Sequence, residues 1–134
     1  MWSDSEYLSV AMLTNEYVGS GGDLIPWFFH NSAVGTLVGE RTWGGEVGIA
    51  GYPPLIDGGL VTAPSLAFFS TEGKWGIEND GVAPDVEVLN NPKAWRQGHD
   101  EKLEKAVQVI FEELKAHPLP TPTVPPLPNY YKAQ

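Results

Sequence analysis

The apolar run Tyr7-Leu8-Ser9-Val10-Ala11-Met12-Leu13 stops at Thr14-Asn15, and the chain then enters the cluster Gly19-Ser20-Gly21-Gly22-Asp23. A run this short between polar flanks predicts a buried strand over 7–13 rather than a helix. After the cluster, Leu24-Ile25-Pro26-Trp27-Phe28-Phe29 predicts a short helix buried on most sides, with Ser and Asp beside it as favourable caps. Proline is tolerated where its missing N–H would be unpaired anyway, which places the cap at Gly22 or Asp23 and Ser20 in the turn just ahead. Gly35-Thr36-Leu37-Val38-Gly39 reads as the next strand. Strand, short helix and strand in succession form a parallel crossover unit, right-handed by default. The expected class is therefore α/β.

From Arg41 to about Val88 the chain is punctuated by Gly and Pro, with short β-type pieces at Leu60-Val61-Thr62 and Ser65-Leu66-Ala67-Phe68-Phe69. These read as hairpins and loops around the sheet. A helix follows from Asp100: Leu103, Ala106, Val107, Ile110, Phe111 and Leu114 recur at three- and four-residue steps. Asp100 caps its start, acids occupy the first turn, and Lys115, His117 and Pro118 mark its end. Residues 118–134 are a Pro-rich tail, expected to be extended polyproline.

The chain has 134 residues, the size of one domain, and its 8 basic and 17 acidic residues leave a formal charge of −9. Such a chain lacks the cationic surface that nucleic acid or an acidic membrane demands, so neither is an expected partner. No apolar stretch is long enough to span a bilayer. With no Cys, any nucleophile is a hydroxyl, an amine or a carboxylate. No spacing typical of metal ligands is present, and neither metal nor cofactor is expected.

A serine between a strand end and a helix start has a chemical use. Unpaired N–H groups of the turn and the positive helix end would hold a negative oxygen developing beside Ser20, with the amide of Gly21 nearest. Glycines leave room for a substrate backbone. Taken alone, Gly-Ser-Gly-Gly is also ordinary loop punctuation. A serine needs a base as well. His30 falls about 12 Å or more along the helix from its start and points away, while His99 and His117 bracket the last helix. None sits beside an evident carboxylate. Lys74 lies in a predicted hairpin turn, and the other lysines read as solvated.

The strings Asn15-Glu16-Tyr17-Val18-Gly19-Ser20-Gly21-Gly22-Asp23 and Gly39-Glu40-Arg41-Thr42-Trp43-Gly44-Gly45 resemble the catalytic core of the tail-specific serine peptidases, in the tricorn protease branch. Leu55-Ile56-Asp57-Gly58-Gly59, the block from Trp75 to Asp85 and the block from Gly98 to Ala106 are similar to its successive segments. The resemblance covers about residues 6 to 117. It implies a partial ClpP/crotonase-like α/β core with a mixed or mostly parallel sheet and flanking helices. Residues 1–117 would be the C-terminal portion of the catalytic domain, followed by the tail.

The resemblance also implies roles. Ser20 would be the nucleophile, Gly21 and Gly22 would line the oxyanion and substrate-binding turn, and Glu78 would belong to a Ser–His–Ser–Glu tetrad. Relatives of the Ser–Lys type look like Thr-Phe-Gly-Lys where this chain has Thr42-Trp43-Gly44-Gly45, and Gly45 cannot remove a proton. In the tricorn branch the histidine and second serine lie earlier than anything present here, so this chain is expected to be inactive alone. Implied partners are peptide substrates, the N-terminal remainder of a parent polypeptide and further copies, in the cytoplasm. Two other readings share the architecture. One is a carrier of lipophilic ligands, and the other an acyl-CoA hydrolase, for which no basic phosphate-binding cluster is visible.

Overall fold

The computed structural model describes residues 9–119, 121, 123–128 and 130–131. In chain order the elements are β1 (Ala11–Thr14), α1 (Gly21–Asn31), β2 (Thr36–Gly39), β3 (Gly48–Gly51), β4 (Thr62–Leu66), β5 (Val86–Glu87), α2 (Pro92–Arg96) and α3 (Glu101–Ala116). Strand β2 lies between β1 and β5 and runs parallel to both. The register sets Ala11 opposite Thr36 and Thr14 opposite Gly39, then Val38 opposite Val86. Tyr7 and Leu8 of the expected first strand fall outside the described residues.

A central parallel strand is covered on both faces, so its middle positions are apolar. Leu37 and Val38 accordingly have no exposed surface. Leu37 packs with Phe29, Ile77 and Val82, against which Val10, Met12 and Trp27 are half-buried. Helix α3 lies across β1 and β2 and buries Ala106. As the sequence predicts, the Asp100 side chain accepts the Leu103 N–H at 3.1 Å and caps α3. Thr36 donates to Glu113 at 2.9 Å. Lys102 pairs with Glu40 and is only 12% exposed, so the expectation that the lysines are all solvated fails there.

The start of α1 also departs from expectation. The N-cap is Ser20, and Pro26 lies inside the helix. An interior proline loses one helical hydrogen bond and typically costs about 3 kcal/mol. The helix persists because Pro26 and Phe29 are buried and the Ser20 carbonyl accepts from both Asp23 (2.8 Å) and Leu24 (2.9 Å). Tertiary contacts here override the local preference that set the expected cap.

Strands β3 and β4 form an antiparallel pair with a register irregularity between Gly48 and Ile49. A bridge between Phe69 and Trp75 closes the next hairpin, where Lys74 reaches Glu72 at 2.9 Å with both side chains exposed. The described tail residues carry no helix or strand, and Val124 and Leu127 stand exposed.

Candidate active site

Ser20 sits where β1's connection enters α1, with φ 53 and ψ −115. A non-glycine residue at positive φ is strained by about 1–3 kcal/mol and persists only where its surroundings fix it. Its N–H donates to the Gly45 carbonyl at 2.8 Å. Although it is the N-cap, its side chain makes no cap bond, so the hydroxyl is not committed to the helix. Ser20 is exposed.

Gly21 is the first helical residue, a position whose N–H has no intrahelical acceptor. A Cβ there would meet nothing within 4 Å, so the turn is open on that side. The Gly22 N–H is committed to the Gly19 carbonyl at 2.9 Å, and a Cβ on Gly22 would lie 2.7 Å from the Val18 Cβ. Gly22 thus supplies close packing, and Gly21 carries the available donor.

Four consecutive amides, 44 to 47, point at two carboxylates. Asp23, in the first turn of α1 and wholly buried, accepts from Gly44 (2.8 Å) and Gly45 (3.0 Å). Glu78 accepts from Glu46 (2.6 Å) and Val47 (2.8 Å) through one oxygen. Bonds from amides to ionised carboxylates are stronger than neutral ones. The helix start adds its positive end to the Asp23 side.

Glu78 is carried by a turn whose base is the buried Ile77. Asp80 and Gly81 donate to the Ile77 carbonyl at 3.0 and 2.8 Å, and the Asn79 N–H reaches the Gly44 carbonyl at 2.7 Å. Ser20 and Glu78 line one open groove of about 630 Å³, together with Trp43, Val47, Ile49 and Pro64. The structure therefore brings to one surface two residues far apart in sequence.

The histidines lie elsewhere. His30 Nδ1 is 3.2 Å from Asp85 and His99 Nδ1 is 3.1 Å from Glu104, so each has a carboxylate beside it that the sequence did not reveal. Neither lines the groove with Ser20. Among the described residues no group of three or more His, Asp or Glu could hold a metal ion, and no helix is long and apolar enough to cross a membrane.

Sequence reasoning missed Asp23 as a loop anchor and overlooked Glu46. One carboxyl oxygen of Glu46 is buried without a hydrogen-bond partner. The residue lines a second recess of about 390 Å³ with Phe68, Trp75 and Glu78. Burial, and then repulsion from Asp23 and Glu78, raise its carboxyl above the ordinary value of 4.5. Below that value Glu46 is neutral whether the chain is folded or unfolded. Above it the unfolded chain releases the proton first, so stability falls until the folded group ionises too. Glu46→Gln removes this loss. In urea titrations its advantage over the parent chain is expected to be smaller near about pH 4 than near about pH 8. A constant difference across that range contradicts the assignment.

Residues 4–88 match the profile of peptidase family S41, and the chain belongs to that family. Within it, the chain is 42% identical over 106 residues to the tricorn protease of Thermoplasma acidophilum, covering 79% of this chain and 10% of that protein. It is 40% identical over 119 residues to tricorn protease homolog 1 of Streptomyces coelicolor, covering 89% and 11% respectively. The crystal structure of the tricorn protease superimposes with a TM-score of 0.75 at 41% identity, over 80% of this chain and 10% of that one. The mixed α/β architecture with its mostly parallel sheet is that of the family. The chain spans about a tenth of the length of these relatives.

Proposed function

We propose that this chain is the nucleophile-bearing part of a tricorn-like serine peptidase, acting through a Ser–His–Ser–Glu tetrad to which it contributes Ser20 and Glu78. The observation that supports this reading is the shared groove: an exposed serine at a helix start and a loop-anchored carboxylate both line it. In the reaction, Ser20 Oγ attacks the peptide carbonyl as an imidazole takes its proton. The Gly21 N–H and the α1 dipole stabilise the resulting oxyanion. Glu78 polarises the second serine, which orients the imidazole. The histidine and second serine come from the remainder of a parent polypeptide, and the 134-residue chain alone is inactive. The apolar Trp43, Val47, Ile49 and Pro64 in the groove would also suit a lipophilic carrier, but the Glu78 carboxylate among them favours the hydrolase.

Labelling the polypeptide that includes the preceding catalytic segment with a fluorophosphonate tests the reading. Peptides as substrates, assembly with further copies and a cytoplasmic site of action belong to the same proposal. The exposed Leu103, Val107 and Phe111 of α3, with Ile49 and Leu66 on the β3–β4 pair, give the isolated chain unburied apolar surface. It is expected to self-associate at tens of micromolar in sedimentation velocity, and a monodisperse monomer would argue against this.

A further inference from the structure

Asp23 has no exposed surface, and the peptidase chemistry proposed above gives it no part. Its two oxygens take the Gly44 and Gly45 N–H groups, and the Gly45 carbonyl in turn accepts the Ser20 N–H. Asp23 also lies in the first turn of the helix that Ser20 caps. A closed ring results: Ser20, the first turn of α1, the Asp23 carboxylate, Gly45, and back to Ser20. A carboxylate is the side chain that suits two inward-pointing donors, because an amide of the same shape would aim its own NH₂ at one of them.

We infer that Asp23 is a positioning residue that, by clamping Gly44 and Gly45, holds the Ser20 backbone in its left-handed conformation with the hydroxyl uncommitted. The role rests on the reading of Ser20 as nucleophile, while the geometry does not. A charge that merely favoured the helix start would support α1 and leave Ser20 φ indifferent to the loop.

Backbone NMR on the chain separates these roles. In Asp23→Asn, the strong intraresidue HN–Hα NOE that a positive φ gives Ser20 is expected to weaken as that distance lengthens. Hydrogen-exchange protection at Ser20 and Gly45 is expected to drop at least about tenfold, with Leu37 and Val38 in β2 unchanged. An unaltered Ser20 overturns the inference, and so does an equal loss throughout the sheet. Should the variant not fold, the parent chain decides: Ser20, Gly44 and Gly45 are expected to exchange through one common opening, and independent exchange overturns the clamp. Failure of fluorophosphonate labelling in the longer polypeptide would remove the peptidase reading without touching this result.

Discussion

On the proposed reading, Ser20→Ala, made in the polypeptide that also supplies the base, is expected to abolish fluorophosphonate labelling and lower peptide hydrolysis by on the order of 10⁴- to 10⁶-fold. The size follows from the proposed chemistry: without the serine hydroxyl only water is left to attack, and the oxyanion donors and substrate contacts alone retain a small residual rate. The backbone strain at Ser20 is shared by alanine, so the variant is expected to keep the fold and the bond to the Gly45 carbonyl. Labelling that persists in Ser20→Ala, or hydrolysis that does not change, would exclude Ser20. The 134-residue chain by itself should label weakly or not at all, because among the described residues no histidine or lysine lines the groove.

A large loss of stability is expected at Gly81, in the turn that bears Glu78. This residue has φ +67, and a Cβ on it would stand 2.1 Å from the Thr42 carbonyl oxygen, a backbone atom that cannot swing away. The contact is tight because Thr42 and Val82 are joined twice, by Thr42 N–H to the Val82 carbonyl (3.1 Å) and by Val82 N–H to the Thr42 hydroxyl (2.8 Å). Gly81→Ala is expected to cost about 3 kcal/mol or more, combining positive-φ strain with the loss of that pairing. Gly73 supplies the control, since its φ is +74 but a Cβ there meets nothing within 4 Å. Gly73→Ala should cost about 1 kcal/mol. Equal urea midpoints for the two variants would show that the Thr42 contact does not constrain the turn bearing Glu78.

Those parts of the fold whose causes are local were legible in the sequence. The strand, helix and strand from residue 11 to 39, and α3 with its Asp100 cap, rest on periodicity and capping within a few residues. The two-residue β5 and five-residue α2 carry too little pattern to stand out from their Gly- and Pro-rich surroundings. The start of α1 is not legible from Pro26 alone, because the burial that offsets it arises only on folding. Ser20 could be singled out by its glycine setting, and Glu78 only through family resemblance. Asp23 and Glu46 left no local trace as site residues, because their significance depends on amides and carboxylates that adjoin only after folding.

Those carboxylate-to-amide bonds also impose an order on assembly during synthesis. Asp23 emerges from the ribosome before the two glycine amides that neutralise its isolation, and the amides of Glu46 and Val47 wait longer still for Glu78. The serine can therefore be set in its final geometry only after the chain is well past the helix that bears it. On the reading proposed above, the hydroxyl of Ser20 stays unarmed until the segment that follows α1 has been made, so the site becomes competent only once its own loop has closed on it.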